Sequence, residues 1–222
     1  MKFKKIGLTI MLSFTTSLLT VGCTNENEIS HETVDQVKVD DIKEPIQEKF
    51  NQTMALAEKG DAEAQYNLGW MYSNGEGVES DETVTAQWFQ KAADQGHIKA
   101  LYNLGVMYRD GVGVPQDDIK SADYLLKAAD QGYAPAQFNL GTLYFEGRGV
   151  PQDDIKAADY FLKAADQGVA DAQYNIGTLY SNGNGVKQDY LKAKELWEKA
   201  AAQGYALAQN NIGFLYGNGQ GV

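Results

Sequence analysis

The sequence of 222 residues is poor in the residue types that most often carry chemistry. It contains one cysteine and four prolines, and only two of its residues are histidines. A single cysteine excludes an intrachain disulfide framework and a cysteine-rich metal site. Basic residues are also scarce, since 19 lysines and arginines face 30 acidic residues and give a formal net charge of -11. A nucleic-acid-binding protein needs a basic face to displace counterions from phosphates, so the composition argues against that class.

The first 22 residues have the pattern of a secretory signal peptide. Met1–Lys5 carries three lysines and no acid, and Ile6–Val21 is mostly apolar. This apolar run is shorter than the roughly 20 residues that a membrane-spanning helix needs. A basic start, a short apolar stretch and a small-residue end are typical of a cleaved signal. The alternative is an ordinary signal peptide, in which the cysteine that follows has no role.

The signal ends at Leu19-Thr20-Val21-Gly22-Cys23, which resembles the lipobox of bacterial lipoproteins. The resemblance implies that Cys23 becomes the first mature residue and carries diacylglycerol and palmitate. We then expect a cell-envelope protein, held at the periplasmic face of the outer membrane in a two-membrane bacterium and at the cell surface otherwise. Residues 23–44 are acidic and lack a sustained apolar stripe, which predicts a disordered tether.

The rest of the chain repeats with a period of 36 residues. The block Ala64-Gln65-Tyr66-Asn67-Leu68-Gly69 recurs from Ala100, Ala136, Ala172 and Ala208, and a second block from Lys91 recurs from Lys127, Lys163 and Lys199. Two blocks in each period predict two helices in each repeat, A and B, because both follow helical spacing. The predicted buried stripe is Ala64, Leu68, Met71 and Tyr72 in the first helix A, and Ile119, Ala122, Leu125 and Ala129 in the second helix B.

Small and acidic residues recur at fixed places in the repeat. An aspartate before each helix B is predicted to cap it, and a glycine after it is predicted to end it in the left-handed conformation. A Gly-x-Gly segment joins A to B, and a tight turn is favoured over a phosphate loop because the segment follows a helix. Glycine inside helix A costs about 1 kcal/mol against alanine, which predicts close approach of a neighbouring helix. These glycines are Gly69, Gly105, Gly141, Gly177 and Gly213.

The pattern Ala-x-x-Asn-Leu-Gly-x-x-Tyr-x-x-Gly-x-Gly-Val, followed by Lys-Ala-Ala-x-Gln-Gly, resembles the Sel-like repeat of the tetratricopeptide-like superfamily. The resemblance implies an all-α, right-handed solenoid of antiparallel helix pairs, with helix A on the concave face. It covers residues 45–222: an opening helix at 45–60, repeats from about 63, 99, 135 and 171, and a partial repeat at 207–222. The last helix A is expected either to cap the array or to belong to a longer one.

The sequence offers little for catalysis. His97 is the only histidine in the repeat region, and no Ser-x-x-Lys motif occurs. Repeated aspartates at helix starts are explained as caps rather than as an acid–base pair. We therefore predict that the protein is not an enzyme and has neither a cofactor nor a metal site. The favoured function is a scaffold that binds a protein or an extended peptide; the alternatives are a protein that binds or acts on cell-wall glycan, and a surface or secreted effector that engages host proteins.

Candidate binding residues lie on the face of helix A opposite its buried stripe. An asparagine ladder offers donors and acceptors to a peptide backbone, and the aromatic row beside it offers apolar contact. Both rows also suit a structural role, because residues that recur with the repeat often pack between repeats. The predicted peptide-binding residues are Tyr66, Asn67, Trp70, Tyr102, Asn103, Arg109, Phe138, Asn139, Phe145, Tyr174 and Asn175.

Overall fold

The computed structural model describes residues 39–220, and this part of the chain holds ten α-helices and no strand. The helices are α1 Val39–Glu58, α2 Ala62–Asn74, α3 Glu82–Asp94, α4 Ile98–Asp110, α5 Asp118–Asp130, α6 Ala134–Glu146, α7 Asp154–Asp166, α8 Ala170–Asn182, α9 Tyr190–Ala202 and α10 Ala206–Gly217.

Each helix packs mainly against its neighbours in the chain. The A helices are α2, α4, α6, α8 and α10, and the B helices are α3, α5, α7 and α9, with α1 in the same place before the first repeat. Short turns join them, so neighbouring helices run antiparallel. Small residues from both helix types fill the core, such as Ala92 and Ala100, each with no exposed surface. The predicted all-α solenoid of helix pairs is confirmed.

The predicted caps are present at every B helix of the repeats. The side chain of Asp117 accepts hydrogen bonds from the backbone N–H groups of Ile119 and Lys120 at 3.1 and 3.0 Å. The equivalent aspartates of α3 and α7 also accept two such bonds, and Asp189 of α9 accepts one, from the N–H of Lys192. These carboxylates satisfy amide groups that have no partner within the helix.

The Gly-x-Gly segments are tight turns, as predicted. Gly111 and Gly113 have φ angles of 66° and 68°, which L side chains rarely adopt. The second glycine also has no room for a side chain, because a Cβ atom at Gly113 would lie 2.1 Å from the carbonyl oxygen of Glu82. The turns at Gly113, Gly149 and Gly185 therefore pack directly on the first turn of the preceding B helix.

Close helix approach explains four of the five glycines inside helix A. A Cβ atom at Gly69 would lie 2.6 Å from the Phe89 ring, and one at Gly141 would lie 2.8 Å from the Phe161 ring. Leu125 and Trp197 contact Gly105 and Gly177 in the same way. At Gly213 the prediction is wrong, because no atom lies within 4 Å of the Cβ position.

Two further expectations differ from the structure. Ile119 is 72% exposed although its spacing placed it on the buried stripe of helix B. The turn at Gly149 packs on the backbone of Asp118 and Ile119, which leaves the Ile119 side chain in solvent. The opening helix begins at Val39 rather than at Pro45. Acidic composition suits the first turn of a helix as well as a disordered tether, so composition did not separate the two.

The predicted signal peptide, the lipidated Cys23 and the tether up to residue 38 lie outside the described residues. Within residues 39–220, none of the helices is both long enough and apolar enough to span a membrane.

Candidate peptide-binding groove

The aromatic row of the A helices packs largely within and between repeats. Tyr66 is 9% exposed and stacks on Phe89 of α3 and on His97, the N-cap residue of α4, with ring centroids 5.5 and 4.5 Å apart. The later members are half-buried and contact one further aromatic each: Tyr102 with Tyr133, Phe138 with Phe161, and Tyr174 with Tyr205. The row therefore stabilises the array, and its later members keep only part of their surface free for a ligand.

The first repeat adds polar links to this packing. Nε1 of Trp70 donates to the hydroxyl of Tyr66 at 2.5 Å, and the Trp70 side chain is 42% exposed. His97 caps α4, since its Nδ1 accepts from the backbone N–H of Ala100, and its Nε2 lies 3.0 Å from a carboxylate oxygen of Glu63. His97 is thus a half-buried structural residue, in agreement with the sequence interpretation.

The asparagine row is mostly available for a ligand. Nδ2 of Asn139 donates to the hydroxyl of Tyr102 at 3.5 Å, which links two neighbouring A helices. Between residues 39 and 220, no side-chain hydrogen bond is formed by Asn67, Asn103 or Asn175. Asn67 is exposed and the other two are half-buried, so each keeps both a donor and an acceptor free.

Arg109 is engaged by its own helix. Its Nε and Nη2 atoms donate to the two carboxylate oxygens of Asp110 at 2.8 and 3.1 Å. This hydrogen bonding to Asp110 raises the pKa of Arg109 above its ordinary value, against the opposing effect of burial. The paired guanidinium contributes little net positive charge to the groove, which makes Arg109 a weak partner for a ligand carboxylate.

A cavity of about 240 Å³ opens on the groove face between α6 and α8. Phe161 of α7 lies at the cavity, and Phe145, which is 40% exposed, lines it from α6. The lining residues are Thr142, Phe145, Glu146, Phe161, Tyr174, Asn175, Thr178 and Leu179. The structure thus brings together three of the predicted residues, Phe145, Tyr174 and Asn175, at one site.

The position of this cavity follows from one position of the repeat whose residue differs from copy to copy. Thr142 and Thr178 occupy the places that Trp70 and Val106 occupy in the first two repeats. The hydroxyl of each threonine donates to a carbonyl of its own helix, from Thr142 to Phe138 and from Thr178 to Tyr174. Small side chains turned onto their own helix leave space between α6 and α8.

The sequence places Thr142 and Thr178 on the groove face, in the row of Trp70, but they are not among the predicted binding residues. Glu146, Phe161 and Leu179 also line the cavity and were not predicted. Phe161 belongs to a B helix, at the place that Leu125 takes in the predicted buried stripe, and it is 2% exposed. The pair of threonines was a usable signal, because two small residues in successive A helices indicate a gap between them. The other eight predicted residues lie outside this cavity: Tyr66, Asn67 and Trp70 on α2, Tyr102, Asn103 and Arg109 on α4, and Phe138 and Asn139 on α6.

The described residues contain no group of three or more His, Cys, Asp or Glu side chains placed to hold a metal ion. The groove face instead offers amide, hydroxyl and aromatic groups, which bind by hydrogen bonds and apolar contact. A tandem array of helix pairs with such a face defines the α-solenoid class of repeat proteins.

The chain belongs to the Sel1 repeat family. The Sel1 repeat model matches residues 62–97, 98–133, 134–169, 170–205 and 206–222. Among functionally curated proteins, none matches the chain.

Two solved structures are similar to the chain. One is c5321, a protective antigen present in uropathogenic Escherichia coli strains, with 41% identity and a TM-score of 0.75; the match covers 78% of this chain and 37% of that one. The other is a Sel1 repeat protein from Oxalobacter formigenes, with 38% identity and a TM-score of 0.70; the match covers 77% of this chain and 49% of that one. The chain therefore spans less than half the length of each.

Sel1 repeat proteins generally mediate protein–protein interactions, and the family is generally non-enzymatic. This general role agrees with a groove face that offers hydrogen-bonding and aromatic groups.

Proposed function

We propose that this protein is a lipid-anchored scaffold of the cell envelope that binds an extended segment of another protein along the concave face of its A helices. The observation that carries the proposal is the cavity between α6 and α8, where Phe145, Tyr174 and Asn175 meet. Its volume of about 240 Å³ is below the 300–1,000 Å³ typical of small-molecule sites, so it suits a side chain better than a cofactor.

The chemistry of the cavity favours one large apolar side chain of the ligand. Phe145 and Phe161 supply aromatic surface, and buried aromatic contacts dominate the energetics of most peptide interfaces. Asn175 offers an amide donor and a carbonyl acceptor beside the cavity, which matches the backbone of an extended peptide. The ligand is therefore expected to be an extended segment with an aromatic or long aliphatic anchor residue.

Peptide binding is tested by filling the cavity. In the fourth repeat, a Thr178→Trp variant introduces the residue type that Trp70 has in the first. It is expected to weaken the binding of a peptide selected from a random display library by at least tenfold. An Asn175→Ala variant removes the backbone contact and is expected to act in the same direction. Ile155→Ala is the matched control, because Ile155 is 71% exposed on a B helix and lies away from the groove.

The outcomes separate the candidate functions. Selection of peptides whose binding depends on Thr178 and Asn175 supports the proposal. Failure to select any peptide, together with retention on cell-wall glycan fragments, would replace it with the glycan-binding alternative. Peptides that bind all variants equally would place the interaction outside the groove.

Lipid anchorage is tested separately. The wild-type protein is expected in the membrane fraction, and Cys23→Ser is expected in the soluble fraction with altered electrophoretic mobility. An unchanged distribution and mobility of Cys23→Ser would contradict anchorage. The relative that is a protective antigen supports exposure at the cell surface, and protease accessibility on intact cells measures that exposure.

A further inference from the structure

A second cavity, of about 730 Å³, lies between the start of α7 and the turn that joins α8 to α9, and we call it the turn cavity. Its lining residues are Gln152, Asp153, Asp154, Ile155, Gly183, Gly185, Val186 and Lys187. The turn cavity shares no lining residue with the cavity between α6 and α8. A ligand of the turn cavity is therefore independent of the peptide proposed for the groove.

One acidic side chain of the turn cavity lacks a hydrogen-bond partner. Oδ1 of Asp154 is buried, and no donor among the described residues reaches it. The nearby turn residue Asn184 is neutral. Asp153 differs from Asp154, because its carboxylate accepts from the backbone N–H groups of Ile155 and Lys156. A buried carboxylate oxygen without a hydrogen bond is unfavourable, so Asp154 is the group of this cavity that gains most from a donor.

The preceding repeat shows which donor satisfies this carboxylate. Asp118 stands at the place of Asp154, and Arg148 stands at the place of Asn184. Nη2 and Nε of Arg148 donate to Oδ1 and Oδ2 of Asp118 at 2.8 and 3.2 Å. A guanidinium is a planar fork of donors that matches a carboxylate in this side-by-side geometry. One repeat thus provides the cation from its own turn, and the next repeat has asparagine instead.

The backbone around the two carboxylates has the same geometry. A Cβ atom at Gly149 would lie 1.9 Å from the carbonyl oxygen of Asp118, and one at Gly185 would lie 2.0 Å from that of Asp154. The two glycines have φ angles of 68° and 66°. The turn cavity therefore presents Asp154 to a cation in the way that the preceding turn presents Asp118 to Arg148.

The rest of the turn cavity suits the side chain of an arginine. Ile155 is 71% exposed and Val186 is half-buried, and both offer apolar surface to the methylene groups that carry a guanidinium. The charged residues of the lining are Asp153, Asp154 and Lys187, whose formal charges sum to a negative value. Lys187 is exposed, so water and salt screen its repulsion of a ligand cation.

We propose that the turn cavity binds a guanidinium group from outside the chain, paired with the carboxylate of Asp154 as Arg148 is paired with Asp118. An arginine side chain of another polypeptide and a free guanidinium compound share this chemistry. An ammonium group has the same charge without the planar fork of donors, so the cavity is expected to prefer guanidinium.

The probe is an arginine blocked at both ends, N-acetyl-arginine methylamide, which is titrated into the isotopically labelled full chain and followed by NMR. The backbone amide signals of Asp154 and Gly185 are expected to shift saturably. Blocked citrulline has nearly the same shape without the charge, and it is expected to bind at least tenfold more weakly. Gly149 is the internal reference, because Arg148 already pairs with Asp118 beside it.

Exchange of the two turn residues gives matched variants. Asn184→Arg supplies a guanidinium from the chain itself and is expected to weaken the binding of blocked arginine at Asp154 by at least tenfold. Asn184→Gln adds a neutral side chain and is expected to bind it as the wild type does. Arg148→Asn frees the carboxylate of Asp118, so a second saturable shift is expected at Gly149.

Saturable binding that follows these exchanges supports the site. The proposal is overturned by absence of a saturable shift at Gly185, by equal binding of blocked arginine and blocked citrulline, by binding that Asn184→Arg leaves unchanged, or by absence of the second shift in Arg148→Asn. Agmatine and the tripeptide Gly-Arg-Gly distinguish the sources once the site is supported. Tighter binding of the tripeptide indicates a polypeptide partner, and tighter binding of agmatine indicates a free compound.

Discussion

The helices α6 and α10 carry the same motif in different surroundings. Each begins with Ala-x-Ala-Gln, has an asparagine five residues after its first helical residue and has a glycine in its middle. α6 lies between two B helices, so Leu140 is 1% exposed and Gly141 contacts Phe161. Among the helices of residues 39–220, α10 has one B helix beside it, and Phe214 is 68% exposed.

This comparison shows that a residue's role in a repeat protein depends on its neighbours as well as on its motif. The stability of a solenoid is approximately the sum of the stabilities of its repeats and of the interfaces between neighbouring repeats. A residue that acts between repeats has a large effect inside the array and a small one at its end. A residue that acts within its own helix has the same effect at both places. The variants below distinguish residues that act between repeats from residues that act within one helix.

The largest expected effect is loss of a bulky residue between helices. Phe161→Ala removes a ring that is 2% exposed and contacts Gly141 and Phe138, and it is expected to lower the free energy of unfolding by about 3–5 kcal/mol. Phe214→Ala removes an exposed ring on α10 and is expected to change it by less than about 0.5 kcal/mol. Urea titration followed by circular dichroism measures both, and equal losses would contradict the array description.

Overpacking of the helix glycines comes next. Gly141→Val forces a branched side chain against Phe161 and the carbonyl of Ala157, and is expected to cost about 1–3 kcal/mol. Gly213→Val meets no atom within 4 Å and is expected to be nearly neutral, because valine and glycine differ little in an exposed helix. Thermal unfolding of the two variants in parallel checks this. A larger decrease in melting temperature for Gly213→Val than for Gly141→Val would contradict the close helix approach at Gly141.

The helix caps are the test of interactions within one helix. Asp117→Ala and Asp189→Ala each remove a carboxylate that bonds the first turn of a B helix, and each is expected to cost about 1 kcal/mol. Because these bonds are local, position in the array should not change the cost. The cost at α9 should be slightly smaller than that at α5 only because Asp189 accepts one backbone bond and Asp117 accepts two. Asp130→Ala, at the last turn of α5, is the control and should be neutral or slightly stabilising.

The smallest expected effect distinguishes two equivalent turns. Arg148 pairs with Asp118 of the preceding B helix at 2.8 Å, whereas Asn184 takes the equivalent place above Asp154, whose buried Oδ1 has no hydrogen-bond partner in the described structure. Arg148→Ala is expected to destabilise by about 0.2–1 kcal/mol, because the pair is partly exposed to solvent. Asn184→Arg is expected to stabilise by a similar amount, and a destabilising result would contradict the equivalence of the turns.

Local features of the fold were predictable because they depend on residues close in sequence. The caps at Asp117 and its equivalents, the turns at Gly111 and Gly113, and the buried stripe of α2 all follow from spacing and residue type. Ile119 was predicted wrongly because its exposure depends on the turn of the next repeat, which packs on its backbone and leaves its side chain free.

The candidate site was predictable only in part, for the same reason. Helical spacing placed Phe145, Tyr174 and Asn175 on one face of the A helices, and the structure gathers them around a cavity. Spacing alone gave equal weight to Tyr66, which tertiary packing buries against Phe89 and His97. Spacing also placed Arg109 in the groove, but it did not predict that the Arg109 guanidinium is hydrogen-bonded to Asp110.

The sequence by itself determined the repeat, the two helices of each unit and their ends, because a 36-residue period and capping residues act through the local backbone. The tertiary structure decided which groups remain available. Between α6 and α8 two threonines bonded to their own helices leave a cavity, and on α10 the absence of a second neighbouring B helix within residues 39–220 exposes a face that is buried in every other A helix. Availability depends on volumes and contacts between distant residues, which no single segment of the chain specifies.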